Sequence, residues 1–158
     1  MVRKQTLNNL VNKLKNEVIP DVLAKEVYNE VVKVESKNVQ KNVYGAYSPT
    51  VYQRRGQNGG LGDPKNHVAT FSYAGNMVTM AVRNITKGKD GFGYLAELVE
   101  YGHDGGYGKY DYPYSSVQEP TFLKPRPFIS STKAELERTL AHLTAMKTGM
   151  ARRGIKVK

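Results

Sequence analysis

Glu97, Glu100 and His103 stand at three-residue intervals in Gly91-Phe92-Gly93-Tyr94-Leu95-Ala96-Glu97-Leu98-Val99-Glu100-Tyr101-Gly102-His103. Two carboxylates and an imidazole so close together could pass a proton in a hydrolysis or hold a divalent cation. The neighbouring residues argue for a plainer role. Tyr94, Leu95, Leu98 and Tyr101 recur at helical spacing, and Gly102 stands where a short helix needs a left-handed C-cap residue. The carboxylates are then expected on the wetter side of an amphipathic helix. His67 and His142 share no helix with another histidine at ligand spacing, and there is no nucleophile elbow. No catalytic, cofactor-binding or metal-binding residue is assigned, and the chain reads as a non-enzyme.

The elements that would position this stretch follow from the rest of the chain. Its 158 residues suit one domain with a sizeable core. With no cysteine, disulfides and thiolate zinc sites are excluded. No apolar run approaches the roughly 20 residues that span a bilayer, and the N-terminal segment is a charged amphipathic pattern, so no membrane partner is expected. The net charge is +10, and residues 147–158 carry five Lys or Arg and no Asp or Glu. Such a basic terminus suits a position near a polyanion.

Leu7, Leu10, Val11, Leu14 and Val18 predict an amphipathic first helix. Pro20 is expected to end it and Pro20-Asp21 to start a second helix, with Val22 or Leu23, Val27, Val31 and Val34 buried, fading near Gln40. Residues 42–66 lose this periodicity and are rich in Tyr, Pro, Gly, Asn and Arg, a loop longer than ordinary connections. Its glycines lack the Gly-Lys-Ser/Thr ending of a phosphate loop.

Gly75-Asn76 predicts a two-residue hairpin turn in which facing residues sum to 151. Tyr73 then faces Val78, Phe71 faces Met80 and Ala69 faces Val82 on one side, with Thr70, Ser72, Thr79, Ala81 and Arg83 on the other. Further on, Tyr107, Tyr110, Tyr112 and Tyr114 fall within eight residues, a composition favoured at protein interfaces. Thr132 with Glu135 predicts a capping box, followed by one helix with Leu136, Leu140, Leu143 and Met146 on a face and Gly149 closing it. The fold expected is α+β, an antiparallel sheet built on the central hairpin and packed against N-terminal helices and a C-terminal helix. One domain spans residues 1–149, with long loops at 42–66 and 103–125, and residues 150–158 form a basic arm.

Leu98-Val99-Glu100-Tyr101-Gly102, followed after a loop by Arg126-Pro127-Phe128-Ile129 and a final helix, resembles the tail-completion or head–tail joining proteins in the neck of tailed bacteriophages. In that family an apolar-Glu-aromatic-Gly segment precedes a Pro-Phe segment, after a central hairpin and N-terminal helices. Tyr52-Gln53-Arg54-Arg55 and Gly60-Leu61 lie where many members carry Thr-Gly-x-Leu. This chain departs in having Asn58-Gly59-Gly60-Leu61, Gly102-His103 where Gly-Thr is commoner, and Ser130-Ser131-Thr132 after the Pro-Phe.

The resemblance implies a structural virion protein without cofactors, made in the host cytoplasm and placed at the head–tail interface. It implies a homo-oligomeric ring, a hexamer or dodecamer, between portal or head-closure proteins and a tail terminator or tail tube protein, with packaged double-stranded DNA contacted non-specifically. Tyr52, Arg54, Arg55, Leu61, Glu100, Tyr107, Tyr110, Tyr112, Tyr114 and Phe128 are the expected interface residues. Arg152, Arg153, Lys156 and Lys158 are the candidates to line a DNA lumen, with Arg54 and Arg55 second. Two alternatives stand beside it: a small basic nucleic-acid-binding protein, and a hydrolase using Glu97, Glu100 and His103.

Overall fold

The computed structural model describes residues 2–46, 48, 55–56, 58–88, 95–102 and 124–157, with side chains from Thr6 onward. Helical segments α1 (Val2–Lys13), α2 (Ile19–Val22) and α3 (Tyr28–Asn38) are joined by π-turns at Leu14–Val18 and Leu23–Val27, and a third π-turn, Val39–Tyr44, follows α3. The hairpin β1 (His67–Ala74) and β2 (Met77–Asn84) comes next, then α4 (Leu95–Tyr101), α5 (Ile129–Thr139) and α6 (Ala141–Arg152). The fold is α+β, with a two-stranded antiparallel sheet between helices.

The break expected at Pro20 does not occur. Val18 and Ile19 keep helical angles, and the Ile19 N–H reaches back to the Leu14 carbonyl across a π-turn. That wider turn relieves the clash between a proline ring and the carbonyl four residues before it, and Pro20 has no N–H to leave unpaired. Helical bonding resumes at Leu23, whose N–H bonds to the Ile19 and Pro20 carbonyls. The π-turns also move the buried stripe. It runs through Val22, Val27, Val32, Val34, Val39 and Val43, past Gln40, while Leu23 and Val31 are half-buried.

The chain divides into two compact units, one of residues 1–34, 67–83 and 134–158, the other of residues 35–66 and 84–133. In the first, α6 packs on the segment Ile19–Val27. Gly149 makes this approach possible, because a Cβ there would lie 2.6 Å from Val22 Cγ1 and 2.7 Å from Glu26 Cγ. Gly149 therefore sits inside α6, where the sequence suggested a terminator. The helix ends at Gly154 (φ 77), with Gly154 N–H bonding to Ala151 O and Ile155 N–H to Met150 O, a Schellman cap.

Leu140 also departs from expectation. At φ 53 and ψ 25 it is left-handed, so α5 and α6 are separate helices and Leu136 to Met146 do not share a continuous face. Leu140 and Leu143 are exposed. Along α1, Leu7, Leu10 and Val11 are exposed too, and Leu14 and Val18, in the π-turn that follows, are half-buried.

The hairpin matches its sequence pattern. Gly75 has φ 54 at the first central turn position, as a type II′ turn requires. Ala69, Phe71, Val78, Met80 and Val82 are half-buried, whereas Thr70, Ser72, Thr79, Ala81 and Arg83 are exposed. Only the tip differs, since Tyr73 is also exposed. At the other end, Tyr28 donates its hydroxyl hydrogen to the His67 carbonyl at 2.8 Å, tying β1 to α3.

The second unit holds a core of Val39, Val43, Leu61, Ala96, Val99 and Phe128, with Tyr44 and Leu95 packed against it. Phe128 is fully buried. The α4 face that turns inward is Ala96, Val99 and Glu100, and Tyr101 is exposed at 77%. Burial of Glu100 overturns the expectation of a wet carboxylate, and its hydrogen bonds give the reason.

Candidate functional site

Helix α5 opens at Ile129 without a side chain of its own at the cap position, which Phe128 occupies inside the core. Its first N–H groups have no partners within the helix and need an external acceptor. Glu100 supplies it. One carboxylate oxygen, Oε2, accepts from Phe128 N–H at 2.7 Å and Ile129 N–H at 2.8 Å. The other, Oε1, accepts from Ser130 N–H at 3.0 Å and the Ser130 hydroxyl at 2.7 Å. Thr132, expected as the cap, lies one turn inside the helix and donates its hydroxyl hydrogen to the Phe128 carbonyl at 2.7 Å.

Burial pushes the Glu100 carboxyl up, while the Ser130 hydroxyl and the Ser130, Ile129 and Phe128 N–H groups pull it down. The net result lies below the ordinary glutamate value. Four donors aimed at a charge stabilise the ionised form more than the loss of water disfavours it. The positive end of α5 acts in the same direction.

The clamp has three further bonds. Arg126 N–H donates to the Val99 carbonyl at 2.9 Å. Asn42 Nδ2 donates to the Pro127 carbonyl at 2.7 Å and to Ser131 Oγ at 2.9 Å. Gly102 (φ 74) closes α4 with its N–H on the Leu98 carbonyl at 2.9 Å, as its position predicted. The positions that bracket residues 103–123 are thus pinned to one base, on the segments Leu98–Gly102 and Arg126–Ile129.

A second network fixes the glycine-rich loop. The Gly60 carbonyl accepts from Asp63 N–H at 3.1 Å, Asn66 Nδ2 at 2.9 Å and Thr86 Oγ1 at 3.4 Å. Asp63 accepts from Gly59 N–H at 2.7 Å and Lys65 N–H at 2.9 Å. Asn84 Nδ2 bridges the Leu61 carbonyl and Glu35 Oε1 at 2.9 and 3.0 Å. Gly60 has no room for a side chain, because its Cβ would fall 2.3 Å from the Gly56 carbonyl oxygen. This network had no sequence motif behind it beyond the Asn, Asp and Gly content.

The structure sorts the expected interface residues. Leu61, Glu100 and Phe128 are buried and serve the core and clamp, so they offer no outer surface. Arg55 is exposed and donates from Nη2 to the Lys87 carbonyl at 2.6 Å. Tyr52, Arg54, Tyr107, Tyr110, Tyr112, Tyr114, Lys158 and His103 lie outside the described residues. Among the lumen candidates, Arg152 donates to both Glu26 oxygens at 3.0 and 3.2 Å. Arg153 pairs with Asp21 through Nε at 3.0 Å and through Nη2. Asp21 is held below its ordinary value first by its hydrogen bond with Lys25 and next by that with Arg153. Lys156 is exposed.

The arrangement does not support proton transfer by Glu100, whose two oxygens already accept four hydrogen bonds, while Glu97 is exposed. Among the described residues no three acidic or histidine side chains converge as a metal site, and no helix is long and apolar enough to cross a membrane. No curated protein and no solved structure matches the chain. A family model does, the one described as YomN, over residues 6–152. The chain therefore belongs to the YomN family, which is phage-derived.

Proposed function

We propose that this phage protein is a structural component of the neck, a homo-oligomeric ring of six or twelve copies that joins the DNA-filled head to the tail and lets DNA pass through its lumen. It works by assembly and not by catalysis. The observation that carries the reading is the Glu100–Phe128 clamp. The two segments that resemble neck proteins, 98–102 and 126–129, are far apart in sequence and are bonded to each other through that carboxylate. A buried charge that ties two segments so far apart in sequence suits a protein that must meet its partners in a set geometry.

The chain's membership of a phage-derived family supports the setting. The four tyrosines bracketed by the clamp supply rigid aromatic contact surface for a neighbouring subunit or for the portal, head-closure or tail proteins. A ring requires two different surfaces on each copy that meet head to tail and close. The reading is tested by Tyr110→Ala and Tyr112→Ala, expected to reduce oligomer size by light scattering without lowering the melting temperature of the subunit. An unchanged oligomer would remove these tyrosines from the interface.

A further inference from the structure

Two sets of cations are held differently. At the α6 end of the first unit, Arg152 and Arg153 are matched by Glu26 and Asp21, which removes much of the field that an arm lining DNA would need. In the second unit, Arg55, Lys65 and Lys87 are all exposed, and among the described residues none of them makes an ion pair.

They stand on one frame. The Arg55 guanidinium is fixed on the Lys87 carbonyl at 2.6 Å. Lys65 precedes Asn66, whose carbonyl accepts the Ile85 N–H at 2.7 Å, two residues before Lys87. Thr86, between Ile85 and Lys87, is buried and bonded to the Gly60 carbonyl and to Asn84 Oδ1. The carboxylates of this frame, Asp63 and Glu35, are buried and bound to backbone N–H groups or to Asn84. The frame therefore buries its negative charge and presents its positive charge.

We infer that Arg55, Lys65 and Lys87 form the surface that contacts the phosphate backbone of double-stranded DNA, in place of the C-terminal arginines. This names the DNA-facing residues of the proposed neck ring and rests on that reading. Arg55 is the positioned member, since its guanidinium is already oriented by the Lys87 carbonyl and keeps donors free for a phosphate. Lys65 and Lys87 add point charges. Contacts of this kind carry no base specificity, which suits DNA that must slide past.

The test is the salt dependence of binding to a mixed-sequence 30-base-pair duplex, with native mass measured on the same samples. Each lost phosphate contact lowers the slope of log K against log salt by about 0.9. The triple variant Arg55→Ala, Lys65→Ala, Lys87→Ala should lose about 2.7 of slope per bound protomer by that rule. Lys65→Ala with Lys87→Ala, which disturbs no hydrogen bond of the frame, should lose about 1.8, and Lys65→Arg with Lys87→Arg should lose none. Arg152→Ala with Arg153→Ala should leave the slope unchanged. An unchanged slope in the first two variants, or a loss confined to the arginine pair, overturns the assignment. If the double lysine variant keeps its slope while the wild type is a ring, only the assignment fails. If the slope falls but no ring is found, the surface stands and the neck reading fails.

Discussion

The Glu100 carboxylate accepts the Phe128 N–H at 2.7 Å across 28 residues of sequence, and the same oxygen takes the Ile129 N–H. Replacing it should loosen the tie between α4 and the start of α5. Hydrogen bonds to a buried charge contribute about 1.5–3 kcal/mol each and are not additive. Glu100→Ala should therefore cost about 3–4 kcal/mol and Glu100→Gln about 2 kcal/mol, because the amide keeps one acceptor but turns an N–H2 toward N–H donors. Denaturant titration checks both, and a loss below about 0.5 kcal/mol would show that the clamp is incidental.

The same carboxylate sets an acid limb. Its folded pKa is depressed below the unfolded one, so its contribution is fully present above the unfolded value and is lost as pH falls through the folded value. Stability should hold near neutrality and decline below about pH 4.5, with Glu100→Gln flattening that decline. Asp21 is shifted in the same direction by Lys25 and Arg153, so Asp21→Asn is the necessary companion variant. A wild-type acid limb that survives in Glu100→Gln unchanged would contradict the assignment.

Gly149 allows α6 to approach the segment around Val22. Gly149→Ala gains about 1 kcal/mol of helix propensity but places a methyl group 2.6 Å from buried Val22 Cγ1. Overpacking of that kind costs about 1–3 kcal/mol, so the net effect should be destabilising. A more stable Gly149→Ala protein would mean that the two helices are farther apart.

Leu140 holds a left-handed angle between α5 and α6. Leu140→Gly should be neutral or slightly stabilising, since relief of about 1 kcal/mol of backbone strain offsets the loss of a half-exposed side chain. Leu140→Val should lower stability by about 1 kcal/mol because a β-branched residue is strained there. The reverse order, with Gly costing about 1 kcal/mol, is what an uninterrupted helix would give.

These residues also mark what the sequence discloses. The hairpin register was legible because Gly75-Asn76 and strict alternation are local signals that point to one pairing. Gly102 was legible for the same reason. Local spacing puts Glu100 on the wet side of its helix because its partners are 28 to 30 residues away, although a helix opening after Pro127-Phe128 with no polar cap is itself a sign that an outside acceptor is required. Pro20 and Gly149 are stops by local preference alone, and a π-turn and a close helix contact override that preference. Leu140 falls on one face of a single last helix by spacing, because apolar spacing carries no information about a single left-handed residue.

The claim that the protein works as an assembled neck ring is tested most directly by native mass spectrometry of the purified full chain. A closed species at six or twelve times the 17.7 kDa subunit mass is the predicted result. A monomer that persists across concentration, and binds duplex DNA in that form, would contradict it.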